Sequence, residues 1–256
     1  MKVRVRLQPG DKLSRLYAKL DGRPVESKGL ARKTSEQEQT LDIPMIGRDT
    51  TVLVIAETTH GTTAPVEIEV KWTGEPERQP GTLYVLAVGV AKYRDAAMNL
   101  RVASADARAI AEILARQKGA GLYKDVEITT LVDEAATRKA VKQALSALLK
   151  KVQLNDSVIL FFSGHGLVNT DVDDQYYFAP HDSDLEDIDS SMLSSTDIVM
   201  PLALLKGNTY LFIDSCHSGA SFRESQFHAF LNKAAPPDRA VAVFASSRAS
   251  ELSRED

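Results

Sequence analysis

Residues 83–90 (LYVLAVGV) form a continuous apolar run, the pattern of a strand buried on both faces rather than one. A helical stripe follows, with Ala103, Ala107, Ile110 and Leu114 on one side. The order then repeats: a strand over 126–132, then a helix over 137–152 whose apolar face carries Val141, Leu145, Leu148 and Val152. Further strands are expected over 157–162, 209–213 and 240–245. Strands alternating with helices predict an α/β domain over 83–256, a mostly parallel sheet flanked by helices and wound by right-handed crossovers.

The first 75 residues follow a different period. Val3, Val5 and Leu7 alternate with charged residues, 16–20 leads into the turn Asp21-Gly22, and 51–57 is β-branched and apolar. His60-Gly61 turns the chain, after which Val66, Ile68 and Val70 alternate with Glu67, Glu69 and Lys71. This predicts a small all-β, sandwich-like segment over 1–75, short enough to be a piece of a larger module. Residues 76–82, with Pro76 and Pro80, read as a linker.

Composition excludes several classes. A formal net charge of -4, with no Lys/Arg-rich run, offers no field for a nucleic-acid backbone. The longest apolar stretches are too short to cross a bilayer, and residues 1–7 alternate instead of building a signal-peptide core. The single cysteine precludes an intrachain disulfide. A cytoplasmic protein without nucleic-acid or membrane partners is expected. A lone cysteine is ordinarily a small buried hydrophobe, so its context decides.

That context is reactive. The expected strand at 157–162 runs into Ser163-Gly164-His165-Gly166, and the strand at 209–213 into Asp214-Ser215-Cys216-His217-Ser218-Gly219. Open α/β sheets place their sites beyond the carboxyl ends of their strands. If these two strands are neighbours, about 5 Å separates their ends, and His165 can face Cys216. A thiol needs a nearby base to become a thiolate at neutral pH. The flanking glycines are expected to let a substrate backbone approach and to aim N–H groups at a developing oxyanion. Either residue alone is explained by packing or turn formation, and a metal site with His181 and His217 lacks ligand spacing.

At these residues the chain resembles the caspase-like peptidase family, in its bacterial and metacaspase-like branch. The resemblance covers about 83–256 and rests on LYVLAVGVAKY, the SADA segment at 104–107, SGHG, YYFAPHD at 176–182 and DSCHSG. In caspases the histidine lies about 50 residues before the cysteine, as it does here, although the animal Gln-Ala-Cys signature is absent. The N-terminal strands resemble the Ig-like modules that precede such domains in multidomain bacterial proteins.

The resemblance implies a cysteine endopeptidase with His165 and Cys216 as its catalytic pair and the N–H groups of Gly166 and Cys216 as oxyanion donors. It implies an acidic primary pocket taking Arg or Lys, formed by Asp106, Ser163 and Asp214. The bland readings are a helix-capping Asp106 and a loop-ordering Asp214. The substrate is then a protein or peptide cut after a basic residue, in regulated proteolysis such as bacterial cell death or antiviral defence. A catalytically silent scaffold is the alternative.

The family continues into a small-subunit region beyond the position of Asp256, so a separate C-terminal segment or an activating protein is an expected partner. Arg223, Lys233 and Arg239 are candidate self-processing sites. No cofactor is expected. Calcium stays open as the alternative, because some metacaspases bind it, yet Asp171, Asp173, Asp174, Asp182, Asp184, Glu186, Asp187 and Asp189 do not fit a spaced calcium loop.

Overall fold

The computed structural model describes residues 2–4, 12–25, 38–45, 47–74, 80–169, 175–217, 230 and 241–245. They fall into two compact units that divide between Gln79 and Pro80.

The N-terminal unit contains β1 (Lys2–Arg4), β2 (Leu13–Leu20), β3 (Arg23–Val25), β4 (Glu38–Thr40), β5 (Thr50–Thr58), β6 (Gly61–Thr62) and β7 (Val66–Val70). Strands β2, β3, β5, β6 and β7 make a five-stranded antiparallel sheet, while β1 and β4 pair separately. Leu13, Leu16, Ala18 and Leu20 of β2 are buried, together with Val52 and Val54 of β5. The Asp21-Gly22 turn joins β2 to β3 with φ of 45° and 77°, the left-handed pair that a tight hairpin requires. The expected strand through Val5 and Leu7 lies outside the described residues, and β2 begins three residues earlier than its apolar pattern suggested.

The second unit is built from β8 (Thr82–Gly89), α1 (Ala103–Ala115), β9 (Asp125–Val132), α2 (Arg138–Lys151), β10 (Ser157–Asn169), β11 (Gln175–Phe178), α3 (Ile188–Ser191), β12 (Leu193–Ser194), α4 (Ser195–Leu204), β13 (Asn208–His217) and β14 (Val241–Ala245). Strands β9, β8, β10, β13 and β14 run parallel in that order, with the antiparallel β11 and β12 added. This is the mostly parallel α/β sheet that the apolar runs predict. Helix α1 covers one face, where Ala87, Phe161 and Phe212 meet Ala107 and Ala111. The opposite face packs Val88, Leu160, Phe162, Leu211 and Ile213 with Val141 and Leu145 of α2 and Ile198 and Leu202 of α4.

The sequence reading misplaced both motifs relative to their strands. Ser163–Gly166 and Asp214–His217 lie inside β10 and β13, not beyond them, because the ladder between the two strands runs on from Ser157↔Asn208 to Gly166↔His217. Ladder hydrogen bonds are made by backbone, so the pairing continues where apolar side chains stop. Among the described residues, no helix is long and apolar enough to cross a membrane.

Candidate active site

The site forms where β10 changes partner. Along one edge β10 pairs with β8 as far as Ser163↔Gly89, and from Gly166↔Phe178 onward the same edge is taken by the antiparallel β11. Gly164 and His165 fall in the changeover, where backbone groups need other partners. The His165 N–H donates to the Tyr93 hydroxyl at 2.9 Å, and the His165 carbonyl accepts from Ala179 N–H at 2.9 Å. On the other edge His165 is the Cα partner of Cys216 in the parallel ladder. The expectation that the two strands are neighbours therefore holds, and adjacent strands lie about 5 Å apart.

The imidazole of His165 is half-buried. Its Nε2 lies 2.8 Å from the backbone carbonyl of Met98. A carbonyl oxygen only accepts, so Nε2 carries the proton and Nδ1 is the basic nitrogen of the neutral ring. The Tyr93 ring sits against the imidazole with centroids 5.2 Å apart.

Tyr93 and Met98 both belong to the 90–101 loop, which is tied down at several points. Asp133 Oδ1 accepts from Ala91 N–H and Lys92 N–H at 3.0 Å each, Asn99 Oδ1 accepts from Tyr93 N–H at 2.8 Å, and Leu100 N–H returns to the Ala91 carbonyl. Asp133 is buried and holds a φ of 50°, a conformation that Asp and Asn tolerate better than most residues. Removing its carboxylate strands two N–H groups, at about 1–3 kcal/mol each where they are buried. Asp133→Ala is expected to lower the thermal midpoint and peptide turnover together, and Asp133→Asn to retain most of both. Equal behaviour of the two variants, measured by thermal melts and turnover, would show that the loop does not depend on this anchor.

The flanking glycines have a different explanation from the expected substrate approach. A Cβ on Gly164, whose φ is 153°, would lie 2.9 Å from the Tyr93 hydroxyl and 3.2 Å from Phe178 Cζ, and one on Gly166 would lie 2.8 Å from Tyr176 Cε2. The space is filled by the protein's own aromatic rings. Behind Gly166, the Tyr176 hydroxyl and Ser215 Oγ are 3.0 Å apart and buried. Burial is the main cause holding the Tyr176 phenol above its usual pKa, so it serves as a neutral hydrogen-bonding group.

The three expected pocket residues share one side of the sheet. Asp214 is the Cα partner of Ser163, which pairs in turn with Gly89. Ser163 and Asp214 stand two positions after Phe161 and Phe212, hence on the α1 face. At Gly89, α1 comes so close that a Cβ would lie 2.3 Å from the Ala103 carbonyl. The first turn of α1, which carries Asp106, is thereby set against this rung. Ser163 is buried, while Asp106 and Asp214 are half-exposed. Gly166, an expected oxyanion donor, stands in register with Phe178 on one side and His217 on the other.

Sequence reasoning gave no role to Tyr93, the last residue of the LYVLAVGVAKY stretch, or to the Met98 carbonyl, which has no residue signature. Among the described residues no group of three His, Cys, Asp or Glu side chains could hold a metal ion. His181 Nδ1 donates to the Lys92 carbonyl at 2.7 Å, and Asp182, Asp184 and Asp187 accept from backbone N–H groups. The acidic positions 171, 173 and 174 and the self-processing candidates Arg223, Lys233 and Arg239 lie outside the described residues.

A family model described as the caspase domain matches residues 82–255, more than half of the chain. No curated protein matches. Among solved structures there is a similarity to the crystal structure of protein GSU0716 from Geobacter sulfurreducens, at 24% identity and a TM-score of 0.45, covering 59% of this chain and 56% of that one. The chain thus spans little more than half the length of that protein, which is too distant to bear on activity.

Proposed function

The chain belongs to the caspase-domain peptidase family, and from that premise we propose that it is a cysteine endopeptidase that cuts proteins after Arg or Lys in regulated proteolysis such as bacterial defence or cell death. The observation that carries this reading is the rung His165↔Cys216, with the histidine's Nε2 committed to the Met98 carbonyl. With that nitrogen occupied as a donor, Nδ1 is the one that takes the Cys216 proton. The thiolate attacks the scissile carbonyl, and its charge passes to the carbonyl oxygen. His165 then delivers the proton to the leaving amine. A water molecule, deprotonated by the same nitrogen, hydrolyses the thioester and regenerates the thiol.

The preference for a basic residue rests on the rung two positions before the catalytic pair. Asp214 and Ser163 on the sheet, and Asp106 on the turn of α1 set against it, offer two carboxylates and a hydroxyl to one incoming side chain. A guanidinium donates in pairs to carboxylates, whereas a substrate Asp meets like charge. Charge-assisted hydrogen bonds contribute about 1.5–3 kcal/mol each, so Asp106→Asn or Asp214→Asn is expected to cut the Arg-over-Asp ratio of kcat/KM roughly tenfold to a hundredfold. Otherwise identical Arg and Asp peptides measure it. A wild-type preference for Asp overturns the specificity, and an unchanged ratio in both variants removes these carboxylates from the pocket. A folded protein that an active-site thiol probe fails to label at Cys216 would be the scaffold instead.

A further inference from the structure

A cleft of about 660 Å³ lies between α2 and the 182–191 segment, lined by Arg138, Lys139, Lys142 and Lys150 together with polar residues such as Ser146 and Ser191. We propose that this cleft is a docking site for an extended acidic peptide segment of a partner protein, running along α2.

The charge is left over from the fold. Arg138 and Lys142 share a single carboxylate, Asp197, at 3.2 and 2.7 Å. Lys139 and Lys150 are exposed and form no ion pair among the described residues. Of the five acidic residues of the 182–191 segment only Asp182, which accepts from Arg138 N–H, lines the cleft among the described residues, so four cationic side chains meet two carboxylates, Asp182 and Asp197. Asp184 accepts from Glu186 N–H, Asp187 from Ser190 N–H and Asp189 from the Tyr177 hydroxyl, and none of the five pairs with a lysine of α2 among the described residues.

The shape favours a peptide over a small phosphate compound. From Lys139 to Lys150, α2 rises about 16 Å, the reach of about five extended residues and far beyond one phosphate group. Among the described residues no aromatic side chain lines the cleft, so none of them stacks on a nucleobase there. The start of α2 makes no anion cradle either, since Arg138 N–H is taken by Asp182 and Ala140 N–H by the Thr137 hydroxyl. What remains is a row of long cationic side chains beside hydroxyls, complementary to carboxylates spaced along a strand. This inference does not depend on the peptidase reading, because docking can be measured without turnover.

The test is fluorescence anisotropy of the whole chain with a labelled Glu-Glu-Gly-Ser-Gly-Glu-Glu peptide at low and moderate salt. Binding that weakens as salt rises, and at least about tenfold weaker binding to Lys139→Glu/Lys150→Glu, are expected. Lys124→Glu, a single charge reversal away from the cleft, should bind as the wild type does, whereas the equal charge change Lys139→Glu should by itself weaken binding, and circular dichroism verifies that each variant is folded. Equal affinity of the wild type and the double variant overturns the proposal, as does an equal loss in Lys124→Glu. Displacement by inorganic tripolyphosphate binding more tightly than the peptide overturns it too, since the site would then be one for small phosphates.

Discussion

Cys216→Ala and His165→Ala are each expected to lower kcat/KM for an Arg peptide by about 10⁴-fold or more, with no further loss when the two are combined. A nucleophile and its base act as one unit, so removing either forfeits the covalent route and the second substitution has nothing left to remove. His165→Ala also deletes the hydrogen bond to the Met98 carbonyl, worth about 1 kcal/mol in a partly buried setting. Its melting point should therefore fall by only a few degrees. Turnover of a fluorogenic Arg substrate, alongside circular dichroism, measures both effects. Cleavage surviving in the Cys216→Ala protein would sink the mechanism, and additive losses in the double variant would mean that the two residues do not work as a pair.

A large loss of stability is expected from Gly164→Ala. The added Cβ must occupy a position 2.9 Å from the Tyr93 hydroxyl and 3.2 Å from Phe178 at a φ of 153°, on a fully packed rung. Overpacking costs about 1–3 kcal/mol and the backbone conformation about as much again. At about 2–4 °C per kcal/mol for a chain of this size, the thermal midpoint should fall by roughly 5–15 °C. Activity should fall with it, because Tyr93 holds the His165 N–H and is the group that must move. Adding Tyr93→Phe removes the clashing oxygen, and part of the lost stability should return in the double-mutant cycle. A Gly164→Ala protein that melts like the wild type would show that the aromatic packing does not require the glycine.

Much of this architecture was written in local patterns. The apolar run at 83–90 reports a strand covered on both sides, since each of its residues meets a helix or a neighbouring strand, and β8 is that strand. The four-residue spacings of α1 and α2 report helices with one buried side, as Ala107 with Ala111 and Val141 with Leu145 bear out. The two polar motifs drew attention to His165 and Cys216, and the strand order then put them on one rung.

Other features exist only once remote segments meet. Where β10 exchanges β8 for β11 depends on which chain reaches its edge, and neither segment carries a mark of that exchange. The Ser-Gly-His-Gly stretch therefore read as the end of a strand when it is the middle of one. The glycines read as openings for substrate because sequence cannot say what fills the space beside a missing Cβ, which here is Tyr93, Phe178 and Tyr176. The partner that fixes the imidazole's tautomer is a backbone carbonyl, a group every residue has. Its position comes from a loop pinned by Asp133, about forty residues farther along the chain, so packing alone decided which nitrogen of His165 carries the proton.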